Sequence, residues 1–381
     1  MPNLNDYIRD YGNIPFEEKP FTDEDNVALV YVQYMMFEKV VSDSFDDEPV
    51  KFADACKDMF IYRGCKHKPV GLVLLKNISV QMMEMAKSKR FSEMKIVACT
   101  DVFGSDPAIQ FNAATFLLPN GEIVVMYRGT DDTLIGWQED FDAVCKGKMA
   151  SEPYTIAYIE EVAKRFEGDI IVCGHSKGGY LAQCAALNCS PETRKRIKKV
   201  YNNDGPGFAN YDYLDGEAYN ELLEKYTHYI PQSSFIGMML CHDDDYTVVK
   251  SSRILGPMEH DAATWQIKNG KLVTLPDITD LARISDLLFF NIVKDINEYQ
   301  KKTFDAALDS IIKGIGYRGL LDVKNHAIKS IKGAVDGYRT LDRYTKDGFK
   351  STLRLMGRSL KKSVKTVKSG RYQSVRQRIS R

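Results

Sequence analysis

Six consecutive residues, Gly174-His175-Ser176-Lys177-Gly178-Gly179, carry the strongest chemical signal in the chain. They set a serine between glycines two positions to either side, the G-x-S-x-G spacing in which a sharp turn lifts a hydroxyl clear of the backbone. The apolar run Ile170-Ile171-Val172-Cys173 leads into it, and the helix-forming Tyr180-Leu181-Ala182-Gln183 leads out. A strand–turn–helix of this kind holds the serine strained and exposed, while the glycines let neighbouring backbone come close. A serine hydroxyl is a poor nucleophile until a base removes its proton. The chemistry to expect is therefore attack on a carbonyl, assisted by a histidine and an acid.

Nucleophile, acid and histidine follow one another in that chain order in such sites. Four of the six histidines come after Ser176: His228, His242, His260 and His326. His260 lies in the turn-rich GPMEHDAATW, past the last clear strand, and is the candidate base. His242 precedes its candidate acids, and His326 sits in helical sequence. Phe235–Cys241 reads as a strand that ends in Asp243-Asp244-Asp245. Three adjacent carboxylates repel, so most must be solvated or paired. Asp245, directly before the apolar run Tyr246-Thr247-Val248-Val249, is the first candidate acid and Asp244 the second. Asp204, in YNNDGPG one strand earlier, is a rival that reads equally well as an Asx turn. An oxyanion hole needs two backbone N–H groups. Lys177, after the nucleophile, supplies one through its backbone alone, and Thr130, after the strand-like Val124–Arg128, is the candidate for the other. Thr130 is explained equally well as part of a strand-ending turn.

The elements that must position these residues follow from periodicity. Thr22-Asp23-Glu24-Asp25 resembles a capping box and opens a helix with Val27, Val30, Tyr34, Phe37 and Val41 on one side. A helix is expected near Ile78–Lys89, then β-rich sequence in which Asn120-Gly121 separates two apolar runs as a hairpin. Tyr154–Phe166 reads as helix, Asp169–Cys173 as strand, Gly179–Leu187 as helix and Lys199–Asn202 as strand. Such alternation implies an α/β fold, a mostly parallel central sheet flanked by helices. After Pro276 the pattern is helical, with Leu281, Ile284, Leu288 and Ile292 at helical spacing. The expected organisation is a domain over 1–276 that begins with a helical segment, a helical extension over 277–345 and a basic tail over 346–381.

Charge sets that tail apart. The chain holds 52 basic and 52 acidic residues, yet from Ile331 onward there are fifteen Lys/Arg against three Asp/Glu. Phe349, Leu353, Met356, Leu360, Val364 and Val367 fall at helical steps among the lysines and arginines. A basic amphipathic helix of this kind, over residues 349–371, could lie on an anionic membrane surface or pack on the acidic body. Nucleic acid is not an expected partner, because only Tyr372 is aromatic within the densest basic stretch. No run of residues approaches a membrane span and the N-terminus has no apolar signal region, so the expectation is a cytoplasmic protein, peripheral to the membrane at most. The eight cysteines show no paired spacing and read as small core residues in a reducing compartment.

The motifs together resemble known families. YRGT, then GWQEDF, then GHSKGG are similar to the class 3 (fungal-type) lipases. A bacterial family of lipase-like α/β hydrolases is more similar still. That resemblance takes in DYIRDYGNIPFEEKPFTDEDN, TFLLPNGEIVVMYRGTDDTLIGWQEDF, GHSKGGYLA, NNDGPGF, and HDDDYTVVKSS followed by HDAATW, over roughly residues 4–270. It implies an α/β-hydrolase fold, a triad of Ser176, Asp245 and His260, and an oxyanion hole from Thr130 and Lys177. The implied substrate is a carboxylic ester, of lipid or phospholipid type, cut through an acyl-enzyme with no metal or organic cofactor. The segment Asp131–Pro153, where class 3 lipases keep a lid, is charged here. The alternative is a catalytically inactive scaffold of the same fold whose tail binds a membrane or partner.

Overall fold

In a computed structural model, the described residues are 3–67, 77–208, 216–240, 245–254 and 256–379. Their centre is a nine-stranded sheet. Strands β1 (Val50–Lys51), β2 (Lys95–Ser105), β3 (Ala108–Leu117) and β4 (Ile123–Tyr127) pair antiparallel in that order. From β4 the sheet continues in parallel through β5 (Ile170–His175), β6 (Ile197–Asn203), β7 (Tyr226–Pro231) and β8 (Tyr246–Val249). A small hairpin of β9 (Ile267–Lys268) and β10 (Lys271–Leu272) stands apart, and β11 (Thr274–Leu275) closes the large sheet antiparallel to β8. The sheet is thus mixed, with its parallel half carrying the turn at Ser176. Antiparallel pairing of β3 and β4 around Asn120-Gly121 is the hairpin that the two-residue turn signal called for.

Both faces of the sheet are covered, which is why its central strand β4 and the Ile170–Cys173 part of β5 are apolar on both sides. Along β5 and β4 the side chains alternate between two cores. Ile171, Cys173, Val124 and Met126 face the N-terminal helices α1 (Leu4–Tyr11), α2 (Asp23–Val32), α3 (Phe52–Tyr62) and α4 (Ile78–Lys87). Ile170, Val172, Val125 and Tyr127 face the other way. After the short α5 (Lys89–Ser92), that second face takes α6 (Leu134–Lys146), α7 (Glu152–Arg165), α8 (Lys177–Asn188), α9 (Pro191–Arg196) and α10 (Glu217–Leu223). Helix α2 starts at the capping box of Thr22 with Asp25, and it is buried on every side because it lies between sheet and flanking helices. Seven described cysteines are free, all but Cys65 buried; Cys241 lies outside the described residues.

Residues 235–240 depart from the expected strand: they form a looped turn, and the strand is β7, which ends at Pro231. Gly237 and the preceding Ser233-Ser234 favour turns, and their polar groups are drawn to a buried carboxylate described below.

Beyond the short α11 (Gly256–Glu259) and β11, the extension is built from α12 (Asp280–Asp295), α13 (Glu298–Ile315), α14 (Leu320–Asn325), α15 (Ala327–Thr340), α16 (Arg343–Lys368) and α17 (Tyr372–Ile379). It packs on the sheet domain. Phe304 of α13 meets Phe141 of α6 edge to face, and Lys146 pairs with Asp305. Helix α16 buries Leu355 among Gly348, Thr352, Ser359 and Ser363, small residues that let it lie close to its neighbours. Of the apolar stripe read from the sequence, only Val367 is buried, while Leu353 and Leu360 stay 49% and 45% exposed. The small-residue face that packs lies beside the stripe because helix–helix closeness, more than side-chain apolarity, decides the contact.

Candidate functional site

Ser176 stands between β5 and α8 with φ 59° and ψ −132°, a left-handed conformation that costs a non-glycine residue about 1–3 kcal/mol. The surrounding backbone holds it there. Its N–H donates to the carbonyl of Asn203, the last residue of β6. A Cβ on Gly174 would stand 1.8 Å from the carbonyl oxygen of Gly178, and one on Gly178 would stand 2.0 Å from that of Tyr127. Both glycines are therefore required by close backbone approach, as the motif implied.

His260 follows α11 and its Nδ1–H donates to Oδ2 of Asp204 at 2.7 Å. Both side chains are nearly excluded from solvent, at 10% and 1% exposure. Asp204 comes directly after β6. Its other oxygen, Oδ1, accepts from the Ser234 hydroxyl at 2.5 Å and from the Gly237 N–H at 3.1 Å. The looped turn after β7 thus wraps the carboxylate. This corrects the expected order of acids. Asp245 is exposed at the head of β8, while the ring nitrogen it was expected to receive is already bonded to Asp204. Asp244 lies outside the described residues. Placing a strand at 235–240 put the candidate acid after it, whereas the carboxylate bonded to His260 follows β6.

A second imidazole supports the first. His175 Nε2 is 2.7 Å from the carbonyl oxygen of His260, which can only accept, so Nε2 carries the proton. Its Nδ1 then accepts from the Tyr34 hydroxyl at 2.9 Å. Burial holds the His175 pKa well below the ordinary value, with the nearby His260 acting in the same direction, and the ring stays neutral. Trp265 Nε1–H donates to the carbonyl of Glu259 at 3.0 Å, which fixes the segment from its other side. Neither Tyr34 nor His175 was singled out from sequence. His175 is inside the serine motif, but nothing local to it shows what its ring must hold.

Lys177 follows Ser176 at the start of α8, where the helix leaves backbone N–H groups without partners of their own. Its side chain turns away into the core. Nζ donates to Glu139 Oε2 at 2.9 Å, to Gln110 Oε1 at 3.0 Å and to the Gln110 carbonyl. Glu139 belongs to α6, so this buried ion pair ties α6 to the serine turn. Thr130 follows β4, and its hydroxyl donates to Asp140 Oδ2 at 2.7 Å. Burial pushes the Asp140 carboxyl up to about 6, against the pull of Lys177 and of the Thr130 hydroxyl. Its Oδ1 is buried with no hydrogen-bond partner among the described residues.

Ser176, Lys177, Thr130, Asp140 and His260 line one cavity of about 230 Å³, with apolar side chains making up most of the rest. Among the described residues, no group of three or more His, Cys, Asp or Glu side chains could hold a metal ion. No helix among them is long and apolar enough to cross a membrane.

A mixed sheet flanked by helices, with a strained serine between strand and helix at its parallel half, defines an α/β-hydrolase-type fold. More narrowly, the chain belongs to the Mbeg1-like family, whose model matches residues 85–310, over half of its length. Among solved structures, it is similar to a lipase–propeptide complex from Rhizomucor miehei, at 10% identity and TM-score 0.31, over 60% of this chain and 70% of that one. A triacylglycerol lipase from Penicillium expansum is similar at 12% identity and TM-score 0.31, over 58% of this chain and 86% of that one. No curated protein sequence matches the chain.

Proposed function

We propose that the protein is a serine hydrolase of carboxylic esters. Ser176 Oγ attacks the acyl carbonyl as His260 Nε2 takes its proton, giving a tetrahedral oxyanion and an imidazolium. Asp204 holds the ring through Nδ1 and stabilises its charge, while the backbone N–H groups of Lys177 and Thr130 face the oxyanion. His260 then protonates the leaving alkoxide, and water, activated by the same ring, releases the acid from the acyl-serine. The observation that carries this reading is the 2.7 Å bond from His260 to the enclosed Asp204, beside a strained Ser176 in one cavity. Lipid or phospholipid esters are the substrate class we favour, because the cavity is lined mainly by apolar side chains.

Labelling with a fluorophosphonate tests it. An adduct located on Ser176 by mass spectrometry, lost in Ser176→Ala and strongly slowed in His260→Ala, is expected. No adduct on folded protein, with mild detergent present to open the cavity, would refute the mechanism and leave the inactive scaffold.

We also propose that α16 addresses the protein to an anionic membrane surface. Leu353 and Leu360 share one side of the helix and remain half exposed, beside the exposed Lys350, Arg354, Lys361 and Lys365. Each basic group near a charged bilayer is worth about 1 kcal/mol. Sedimentation with phosphatidylcholine vesicles, with and without phosphatidylglycerol, checks this: binding should require the anionic lipid and weaken at least about tenfold in Leu353→Ser/Leu360→Ser. Equal binding by the variant would count against it.

A further inference from the structure

The cavity at Ser176 has walls from both parts of the chain. Trp137 and Phe141 of α6, and Phe235 with Met239 of the looped turn, come from the sheet domain. Phe289 comes from α12 of the extension. It meets Phe235 edge to face, with ring centres 5.0 Å apart and planes at 69°. Behind Phe141 stands Phe304 of α13, itself stacked on Phe349 of α16 at 5.5 Å. The extension therefore supplies one aromatic wall directly and supports a second.

The chemistry of the lining narrows what can enter. Among the described residues of its lining, Lys177 is the one basic side chain other than His260, and its Nζ is already bonded to Glu139 and Gln110. Asp140, whose Oδ1 is unpartnered, is also on the lining, and an acceptor oxygen there gives an anion nothing to bond and repels it once ionised. Among the described residues the lining offers no unpaired cation to a phosphate or carboxylate, whereas it offers apolar walls to an uncharged hydrocarbon chain. Size narrows it further. An apolar cavity of about 150 Å³ accepts benzene, with six carbons, so about 230 Å³ has room for roughly nine. Part of that room goes to the ester carbonyl at Ser176.

We infer that this cavity is a subsite for an uncharged acyl chain of medium length, roughly six to nine carbons, with any charged head group left outside, and that Phe289 of the extension sets its length limit. The inference rests on Ser176 being the nucleophile. Phe289 is a specificity-determining residue, acting on the chain and not on the reacting atoms.

The experiment is a kcat/KM profile over p-nitrophenyl esters from acetate to palmitate, on the full-length protein, Phe289→Ala, Phe289→Trp and the exposed-site control Leu281→Ala. The wild type should rise about fourfold per methylene, the factor that about 0.8 kcal/mol per buried CH₂ gives, up to medium chains, and then fall. Phe289→Ala should move the maximum roughly two to four carbons longer, since removing a benzyl group opens about a benzene-sized space. Phe289→Trp should move it shorter, and Leu281→Ala should leave it in place. An unchanged maximum in both Phe289 variants, with Ser176 still labelled by fluorophosphonate, overturns the subsite. A wild type that hydrolyses no ester and takes no label on Ser176 overturns the hydrolase reading instead.

Discussion

Replacing Asp204 by asparagine should cost far more than its small change in shape implies. Oδ1 of Asp204 accepts from both Ser234 and Gly237, so the carbonyl oxygen of an asparagine amide would stay on those two donors. The amide NH₂ would then face His260 Nδ1, at the place where a carboxylate oxygen now sits 2.7 Å away. A donor there forces Nδ1 to accept, which moves the ring proton to Nε2, and Nε2 can no longer take the proton of Ser176. The same tautomer trap costs chymotrypsin-type enzymes about 10⁴ in kcat, equivalent to about 5.5 kcal/mol of transition-state stabilisation. The assay is steady-state hydrolysis of a chromogenic ester at pH 8, with Asp245→Asn in parallel. Asp204→Asn should lose on the order of 10⁴-fold, and Asp245→Asn should stay close to wild type because that carboxylate is exposed. A reversed ranking, or Asp204→Asn within tenfold of wild type, would refute the reasoning.

Three further outcomes follow from neighbouring residues. In Lys177→Met, Glu139 is left charged and buried, so stability should fall by about 3–5 kcal/mol in urea unfolding, and Lys177→Met/Glu139→Gln should recover much of it. Fluorophosphonate labelling should survive in the double variant, since the reaction uses only the backbone of residue 177. Asp140 binds its proton up to about pH 6 in the fold but only to about 3.8 when unfolded, so its contribution is full below about pH 3.8 and is lost as pH rises through about 6. Asp140→Asn removes that dependence, and its stability relative to wild type should improve by about 3 kcal/mol between pH 3.5 and pH 8; a constant difference would show that the carboxyl is not strained. Tyr34→Phe leaves His175 Nδ1 without its buried donor and should cost about 1–3 kcal/mol, measured by thermal or denaturant unfolding.

The residues that were legible in the sequence are those whose environment is local. Ser176 needs a strand before it, a helix after it and glycines around it, and all of that lies within about a dozen positions. The same holds for the capping box at Thr22 and the hairpin at Asn120-Gly121. His260 could be chosen by chain order and turn composition. The acid could not, because what makes Asp204 the partner is a turn about thirty residues later that donates to it. Phe235–Leu240 is apolar because it lines a cavity, and apolar composition alone cannot separate that from a sheet strand. On α16, likewise, the side chains show an apolar stripe, but which face packs depends on the groove offered by α12 and α13. Asp140 and Tyr34 act through contacts across the fold that no spacing along the chain records.

The start of α6 is sewn to the extension. Leu134 N–H donates to the Arg318 carbonyl, Leu320 N–H donates to that of Asp132, and Thr133 bridges Gly319 as a short antiparallel pair. Hinged covers in enzymes turn about a free end, and here that end is fastened to residues that lie some 180 positions downstream. Access to the serine is consequently a property of the whole chain. A displacement of the start of α6 must carry the 318–320 segment along or first break those backbone bonds, and a truncation at Pro276 would remove the fastening together with the wall at Phe289. A displacement of the extension would therefore be felt at α6 and at the Phe289 wall of the cavity.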